Sequence, residues 1–234
     1  MLTTGLDTIT AELIDRSIHD LAGPANRIRA LAQLLGRNLA EADTDSHKIL
    51  AFISDSAADV GTVADGLKSY LQICTRQVQL QPLDLTLPLK SAISNLAEEI
   101  AARRGEVTHG SLPIVEADGY LMCWVFQELL TNALRFGAQI DSCIHVSASR
   151  TESGDAFVSV ADNGPGIDSD MREKIFRPFA KLEGDGAGMG LAICRRIIEM
   201  HGGRIWLEER MSGAEFRFSI GVIPQSVPIY AAQL

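Results

Sequence analysis

Over the first eighty residues apolar side chains return every seven positions: Ile14, Leu21, Ile28 and Leu35, with Ile18, Ala25, Ala32 and Leu39 beside them. A second run places Ile53, Val60, Leu67 and Cys74 on the same period, flanked by Ile49, Val63 and Leu71. Seven residues are two helical turns, so each run draws an apolar stripe down one side of a long helix. The polar stretch EADTDS separates the runs and supplies Asp45 and Ser46 as N-cap candidates. The pattern predicts helices over about residues 8–40 and about 46–77, with ends uncertain by a few residues. Two antiparallel helices cannot hide both stripes from water. Pairing two hairpins into a four-helix bundle can, so residues 1–80 are expected to form a homodimer. A two-helix arm folded onto the chain's own second domain is the competing arrangement.

The rhythm changes at QVQLQPLDLTLPL, where two prolines interrupt the helical pattern. From there the spacing predicts helices over 86–103, 117–137 and 189–201. IHVSASR, FVSVAD, GRIWLEE and AEFRFSI alternate as strands, and ESGD and RMSG supply turns. The fold class is therefore an α-helical hairpin followed by an α+β two-layer sandwich, with helices on one face of a mostly antiparallel sheet. The second domain covers 81–223, and 224–234 is a tail without pattern. A net charge of −9 argues against a nucleic-acid partner. No apolar run approaches the ~20 residues of a membrane-spanning helix, and the N-terminus lacks the basic and apolar regions of a signal peptide. Cys74, Cys123, Cys143 and Cys194 lie far apart in apolar surroundings, which predicts buried free thiols and a cytoplasmic location.

Four segments of the second domain carry polar residues and glycines that packing does not require. In FQELLTNALRFG, Glu128 and Asn132 are four apart and share one helix face. Their oxygens can bind Mg²⁺ and position water, and a solvated polar stripe is the other reading. In VADNGPGI, Asp162 ends a strand and can accept a hydrogen bond from an amino group such as that of adenine. Taken alone, an ordinary Asp-Asn-Gly turn explains it better. In KIFRPFAKL, Phe176 and Phe179 are assigned to packing, and Lys181 is either a phosphate contact or a solvated lysine. In GDGAGMGLAICRRII, Gly186, Gly188 and Gly190 alternate directly before an apolar helix, where bare backbone N–H groups and the helix N-terminus suit an anion. No strand precedes these glycines and no Gly-Lys-Ser/Thr follows, so neither a Rossmann fingerprint nor a Walker A loop is present.

Order and spacing carry more than any segment alone. ELLTNALRF, DNGPGI, IFRPF, GAGMGLAI and IIEMHGGRIWLE follow one another as the N, G1, F and G2 boxes of sensor histidine kinases do, and IHDLAGP in the first domain resembles that family's H box. The resemblance runs from about residue 8 to residue 222, and the H box with the later PLDL is most similar to the phytochrome-like branch. It implies a histidine-bearing dimerisation hairpin joined to a Bergerat-type ATP-binding fold. On this resemblance Asp162 holds the adenine amino group and Gly164 and Gly166 shape its pocket. Asn132 coordinates Mg²⁺ at the phosphates. Gly186, Gly188 and Gly190 form the base of a lid, with Lys181 or Arg135 adding charge. His19 becomes the phospho-accepting nucleophile, at the outward f position when Ile14 is a. Asp20 is placed to accept a hydrogen bond from Nδ1–H, fixing the tautomer and leaving Nε2 to attack. Pro24 is a candidate bend. The implied activity is an ATP-dependent protein-histidine kinase that passes its phosphoryl group to an aspartate on a response regulator receiver domain.

Three features depart from the family pattern. Glu128 stands where many members carry Asn, which makes it either a further Mg²⁺ ligand or a general base. Gly23, four after His19, cannot orient a water as the usual Thr or Asn does, which puts phosphatase activity in doubt. The lid segment KLEGDGAG is short, which implies weak ATP binding. His47, His109, His145 and His201 have no partners at ligand spacing, and His201 is assigned a capping or packing role. Two other functions fit the same hairpin: a phosphotransfer protein with a decayed nucleotide site, and a dimeric scaffold that only binds regulators.

Overall fold

The structure, a computed structural model, describes residues 18, 25–36, 44–138, 141–150, 156–180, 187–210 and 212–220. Two compact units emerge: Met1–Arg76 with Arg177–Ile193, and Gln77–Phe176 with Cys194–Leu234.

In the first unit, residues 25–36 form helix α1 and Thr44–Thr75 form α2. α2 begins at the expected break, one residue before Asp45, whose carboxylate pairs with Lys48 at 3.1 Å on the surface. The buried rows match the expected seam in part: the expected row Ile18, Ala25 and Ala32 is buried, whereas on α2 the buried row is shifted from Ile53 and Val60 to Leu50, Ala57 and Ala64, with Leu71 at the next interval of seven. Ile18 packs with Ala64 and Leu71, with Leu67 at the margin. Ile28, Leu35, Ile53 and Val60 stay exposed. The reason is geometric. One neighbouring helix covers one stripe, and alanines let two backbones approach more closely than isoleucine and valine do.

In the second unit Gln81–Asp84 forms β1, Thr86–Asn95 α3, Ala97–Ala102 α4, Glu106–His109 β2, Ile114–Ala117 β3 and Gly119–Phe136 α5. Cys143–Arg150 forms β4, Ala156–Asp162 β5, Ile205–Glu208 β6 and Glu215–Ile220 β7, and α6 (Gly190–Met200) runs across the division between the units. Two short 3₁₀ turns, Ser169–Met171 and Lys174–Phe176, lie between β5 and α6. The main sheet has the order β2-β4-β5-β7-β6. Only β2 and β4 run parallel, so the sheet is mixed. β1 and β3 make a separate antiparallel pair. These three four-residue strands are absent from the sequence reading, and the single helix expected over 86–103 breaks at Leu96 into α3 and α4.

Alternation in β7 buries Phe216, Phe218 and Ile220 against the helical layer and turns Arg217 outward to Glu208 and Glu215. The α5 stripe Leu121, Met122, Val125, Phe126, Leu129 and Leu130 is buried, and Phe126 meets Phe218 edge to face at 6.0 Å. Each such side chain contributes about 1.5–3 kcal/mol by leaving water. α5 starts at the buried carboxylate of Asp118, which accepts from the N–H groups of Tyr120 (3.0 Å) and Leu121 (3.2 Å) through Oδ1 and of Gln79 (3.2 Å) through Oδ2. The Asp118 N–H donates to His201 Nε2 at 3.0 Å, so the proton of that ring sits on Nδ1, which faces the Ile197 carbonyl at 2.8 Å. His201 is thus a tether between the end of α6 and the start of α5.

Of the cysteines, Cys194 alone is buried; Cys74 and Cys123 are half-buried and Cys143 is exposed, all four unpaired. The expectation of four buried thiols is corrected accordingly: Cys143 is the first residue of β4, at the strand's exposed start. Among the described residues no helix is long and apolar enough to cross a membrane.

Candidate functional site

β5 delivers Asp162 to the end of the sheet. Its N–H donates to the Ala214 carbonyl at 2.9 Å, and its Oδ1 accepts from the N–H groups of Gly164 (2.8 Å) and Ala214 (3.1 Å). Among the described residues no protein donor reaches Oδ2. One carboxylate oxygen is therefore pinned by two backbone donors and the other is left for a ligand. Asn163 holds the same loop from the other side: its Oδ1 accepts from Cys143 N–H at 2.9 Å and its Nδ2 donates to the Asp141 carbonyl at 3.1 Å.

The loop lies against the C-terminal end of α5. A Cβ on Gly164 would fall 2.5 Å from Gly137 Cα, so any side chain there would push the loop off the helix. Gly166 adopts φ +85°, a conformation that glycine takes without strain. The sequence reading identified both glycines. It missed Gly137, which supplies the other half of the contact, and Ala214, whose N–H reaches Asp162 from 52 positions away. A cavity of about 380 Å³ touches the loop at Pro165, Gly166 and Ile167, but Glu128, Asn132 and Asp162 do not line it.

Glu128, Asn132 and Arg135 all lie on α5. Burial pushes the Glu128 carboxyl above its ordinary value, and burial with the nearby Glu128 charge pushes the Cys194 thiol well up, which makes that thiol inert. Asn132 has a buried Nδ2 without a partner. An amide's oxygen and nitrogen exchange places by a half-turn, so Asn132 can present either a donor or an acceptor at that buried position. An orphaned amide one turn from a half-buried carboxylate suits a hard divalent cation. No group of three or more His, Cys, Asp and Glu gathers among the described residues. The Arg135 guanidinium lies over the neighbouring Phe136 ring, 5.3 Å from its centre.

Phe176 is buried and meets Phe216 edge to face at 6.2 Å, as its assignment to packing expects. Phe179 is 48% exposed at φ +63°, so it does not serve as a core anchor. In the first unit Gly188 takes φ +65°, and a Cβ there would fall 2.6 Å from the Ala180 carbonyl oxygen. Gly190 opens α6. His19, Asp20, Gly23, Pro24, Lys181 and Gly186 lie outside the described residues.

Residues 117–224 match the family described as histidine kinase-, DNA gyrase B-, and HSP90-like ATPase. Cyanobacterial phytochrome A of Nostoc sp. (strain PCC 7120 / SAG 25.82 / UTEX 2576) is 37% identical over 210 residues, covering 87% of this chain and 27% of that protein. The chain thus spans about a quarter of that relative's length. Among solved structures, full-length ShkA in complex with AMPPNP aligns with a TM-score of 0.67 at 24% identity, over 94% of this chain and 48% of that one. Histidine kinase ThkA in complex with the response regulator protein TrrA aligns with a TM-score of 0.64 at 25% identity, over 92% of this chain and 63% of that one.

Proposed function

The chain belongs to the sensor histidine kinases, as a catalytic core of their phytochrome-like branch, and we propose that it autophosphorylates His19 from ATP and passes the phosphoryl group to an aspartate of a response regulator. Its domains are the dimerising hairpin 1–80, the ATP-binding domain 81–223 and the tail 224–234, and it works in the cytoplasm. The observation that carries the reading is Asp162, whose Oδ1 is locked by two backbone donors while Oδ2 is left open. An acceptor fixed in this way suits the exocyclic amino group of adenine, because it need not reorganise when the base arrives. ATP binding is also supported by the nucleotide analogue in the ShkA complex, and a regulator partner by the TrrA complex of ThkA.

Gly164 and Gly166 let the loop approach the base. Asn132, with Glu128 beside it, would hold Mg²⁺, which supplies neutralisation of the phosphate charge when bound. Arg135 and Lys181 add positive charge. Gly186, Gly188 and Gly190 offer backbone N–H groups at the start of α6, where the helix dipole favours an anion. His19 Nε2 then attacks the γ-phosphorus, the bond from that phosphorus to the bridging oxygen breaks, and ADP leaves. Asp20 keeps the proton on Nδ1 so that the lone pair of Nε2 points at phosphorus. With so little covalent chemistry required, the protein's work is alignment and charge.

Incubation with γ-labelled ATP and Mg²⁺ tests the reading. Acid-labile, alkali-stable label that disappears in His19→Gln and moves to a receiver domain supports it. A chain that takes no label from ATP but accepts phosphoryl from a phosphorylated regulator is a shuttle instead.

A further inference from the structure

Helix α2 contains two interior glycines, Gly61 and Gly66, neither at positive φ. Glycine inside a helix weakens it relative to alanine, so each calls for a reason. Their surroundings differ. A Cβ added at Gly61 would meet nothing within 4 Å. A Cβ added at Gly66 would fall 2.6 Å from Ala187 Cβ, 2.9 Å from Met189 Cγ and 3.3 Å from Met189 Cβ. Ala187 Cβ is fixed to its backbone and cannot move aside, and Met189 beside it is buried. Gly66 is therefore a notch in α2 with Ala187 and Met189 seated in it, all within the first unit.

The seat fixes more than two side chains. Ala187 and Met189 flank Gly188, whose other side is closed by the backbone of Phe179 and Ala180 at 2.6–2.9 Å from a would-be Cβ. Met189 also accepts, through its carbonyl, the N–H of Ile193 at 2.9 Å, the first helical bond it makes into α6. On the α2 side the segment is held through the side chains of Ala187 and Met189. We propose that Gly66 is a positioning residue for the nucleotide: the side chain it lacks is the space that seats Ala187 and Met189, and seating sets the N-terminal turn of α6. This rests on the reading of Gly188 and Gly190 as phosphate-facing.

The test exchanges one methyl group across the contact. Gly66→Ala adds a methyl, Ala187→Gly removes the one it strikes, and the double variant moves the methyl from α2 to the seated segment. Gly61→Ala adds the same methyl to the same helix where nothing stands. Two quantities are measured in the full chain: thermal unfolding, and affinity for a non-hydrolysable ATP analogue with Mg²⁺ by calorimetry. The expected result is that Gly61→Ala raises the melting temperature and leaves affinity unchanged. Gly66→Ala loses affinity on the order of tenfold. Ala187→Gly restores it in the double variant, and the unfolding effects at 66 and 187 are non-additive. Additive unfolding effects would overturn the seat, whatever the nucleotide does. Non-additive unfolding with wild-type affinity in Gly66→Ala would overturn the positioning role. Non-additive unfolding in a chain whose wild type binds no nucleotide would leave the seat standing and overturn the proposed function instead.

Discussion

On the proposed function, Asp162 serves fold and ligand at once. Its Oδ1 ties the end of β5 to Gly164 and Ala214, so replacing it with alanine would confuse a lost contact with a lost loop. Asn is the cleaner change, because its carbonyl oxygen can keep both backbone bonds while its amino group meets the amino group of adenine donor to donor. Asp162→Asn should melt close to wild type and bind a non-hydrolysable ATP analogue about 10–100-fold more weakly by calorimetry, the equivalent of losing one charge-assisted hydrogen bond. Glu128 makes a different prediction. Burial raises its carboxyl above the ordinary glutamate value, so the folded state holds that proton more tightly than the unfolded chain does. Below the ordinary value both states are protonated and burial carries no charge penalty. As pH rises through the raised value the buried group must ionise, and stability is lost. Glu128→Gln, which cannot ionise, should therefore be more stable than wild type at pH 7, with the gap in denaturant midpoints closing as pH falls toward the ordinary carboxyl value. The same variant separates its two chemical roles. Loss of ATP hydrolysis with His19 labelling retained marks a water-activating base, and loss of both marks a Mg²⁺ ligand.

At the scale of elements the start of α5 joins the most parts. The Asp118 carboxylate caps the helix and holds the chain leaving α2 through Gln79, while its N–H reaches His201 at the end of α6. Asp118→Ala strands these backbone donors, which should cost about 2 kcal/mol or more. That is a fall of about 5 °C in melting temperature by circular dichroism, and Asp118→Asn, which keeps an oxygen at Oδ1, should recover part of it. Helices of this length announce themselves in sequence because many residues repeat the period: α2 starts within two residues of its expected position, and α5 and α6 within two of theirs. β2 and β3 have four residues each, too few for alternation to rise above the surrounding composition, and β1 contains Pro82. Their pairing is settled by the sheet and not by local pattern. The proposed site is legible to the same extent. Asp162, Asn132 and the glycines fall in motifs that follow one another in a set order along the chain, whereas Gly137 and Ala214 enter only through contacts made by folding. Gly66 was invisible for the same reason, since nothing in the α2 sequence says which of its two glycines faces a neighbour.

The whole molecule is governed by the stripe its hairpin leaves uncovered. With Ile18, Ala25 and Ala32 buried on one row and Leu50, Ala57, Ala64 and Leu71 on the other, Ile28, Leu31 and Leu35 and, on α2, Ile49, Phe52, Ile53, Val60 and Val63 remain in water. Leu31 is 64% and Phe52 74% exposed, the largest fractions among the apolar side chains of this stripe. Burying a side chain of this size is worth about 1.5–3 kcal/mol, and the exposed residues keep the heptad spacing, so a second hairpin of the same sequence supplies a matching row. The competing arrangement, an arm folded onto its own chain, would hide the stripe at any dilution. Concentration separates the two. Sedimentation equilibrium of the wild-type chain should give twice the mass of one chain, falling toward one on dilution. Phe52→Glu combined with Val60→Glu should give one chain throughout, because each carboxylate would have to leave water inside the bundle. Since a lone hairpin keeps little to hold its helices together, the double variant should also lose helical ellipticity while the ATP-binding unit retains its own melting transition. A wild-type mass of one chain at every concentration would refute the dimer and favour the folded-back arm.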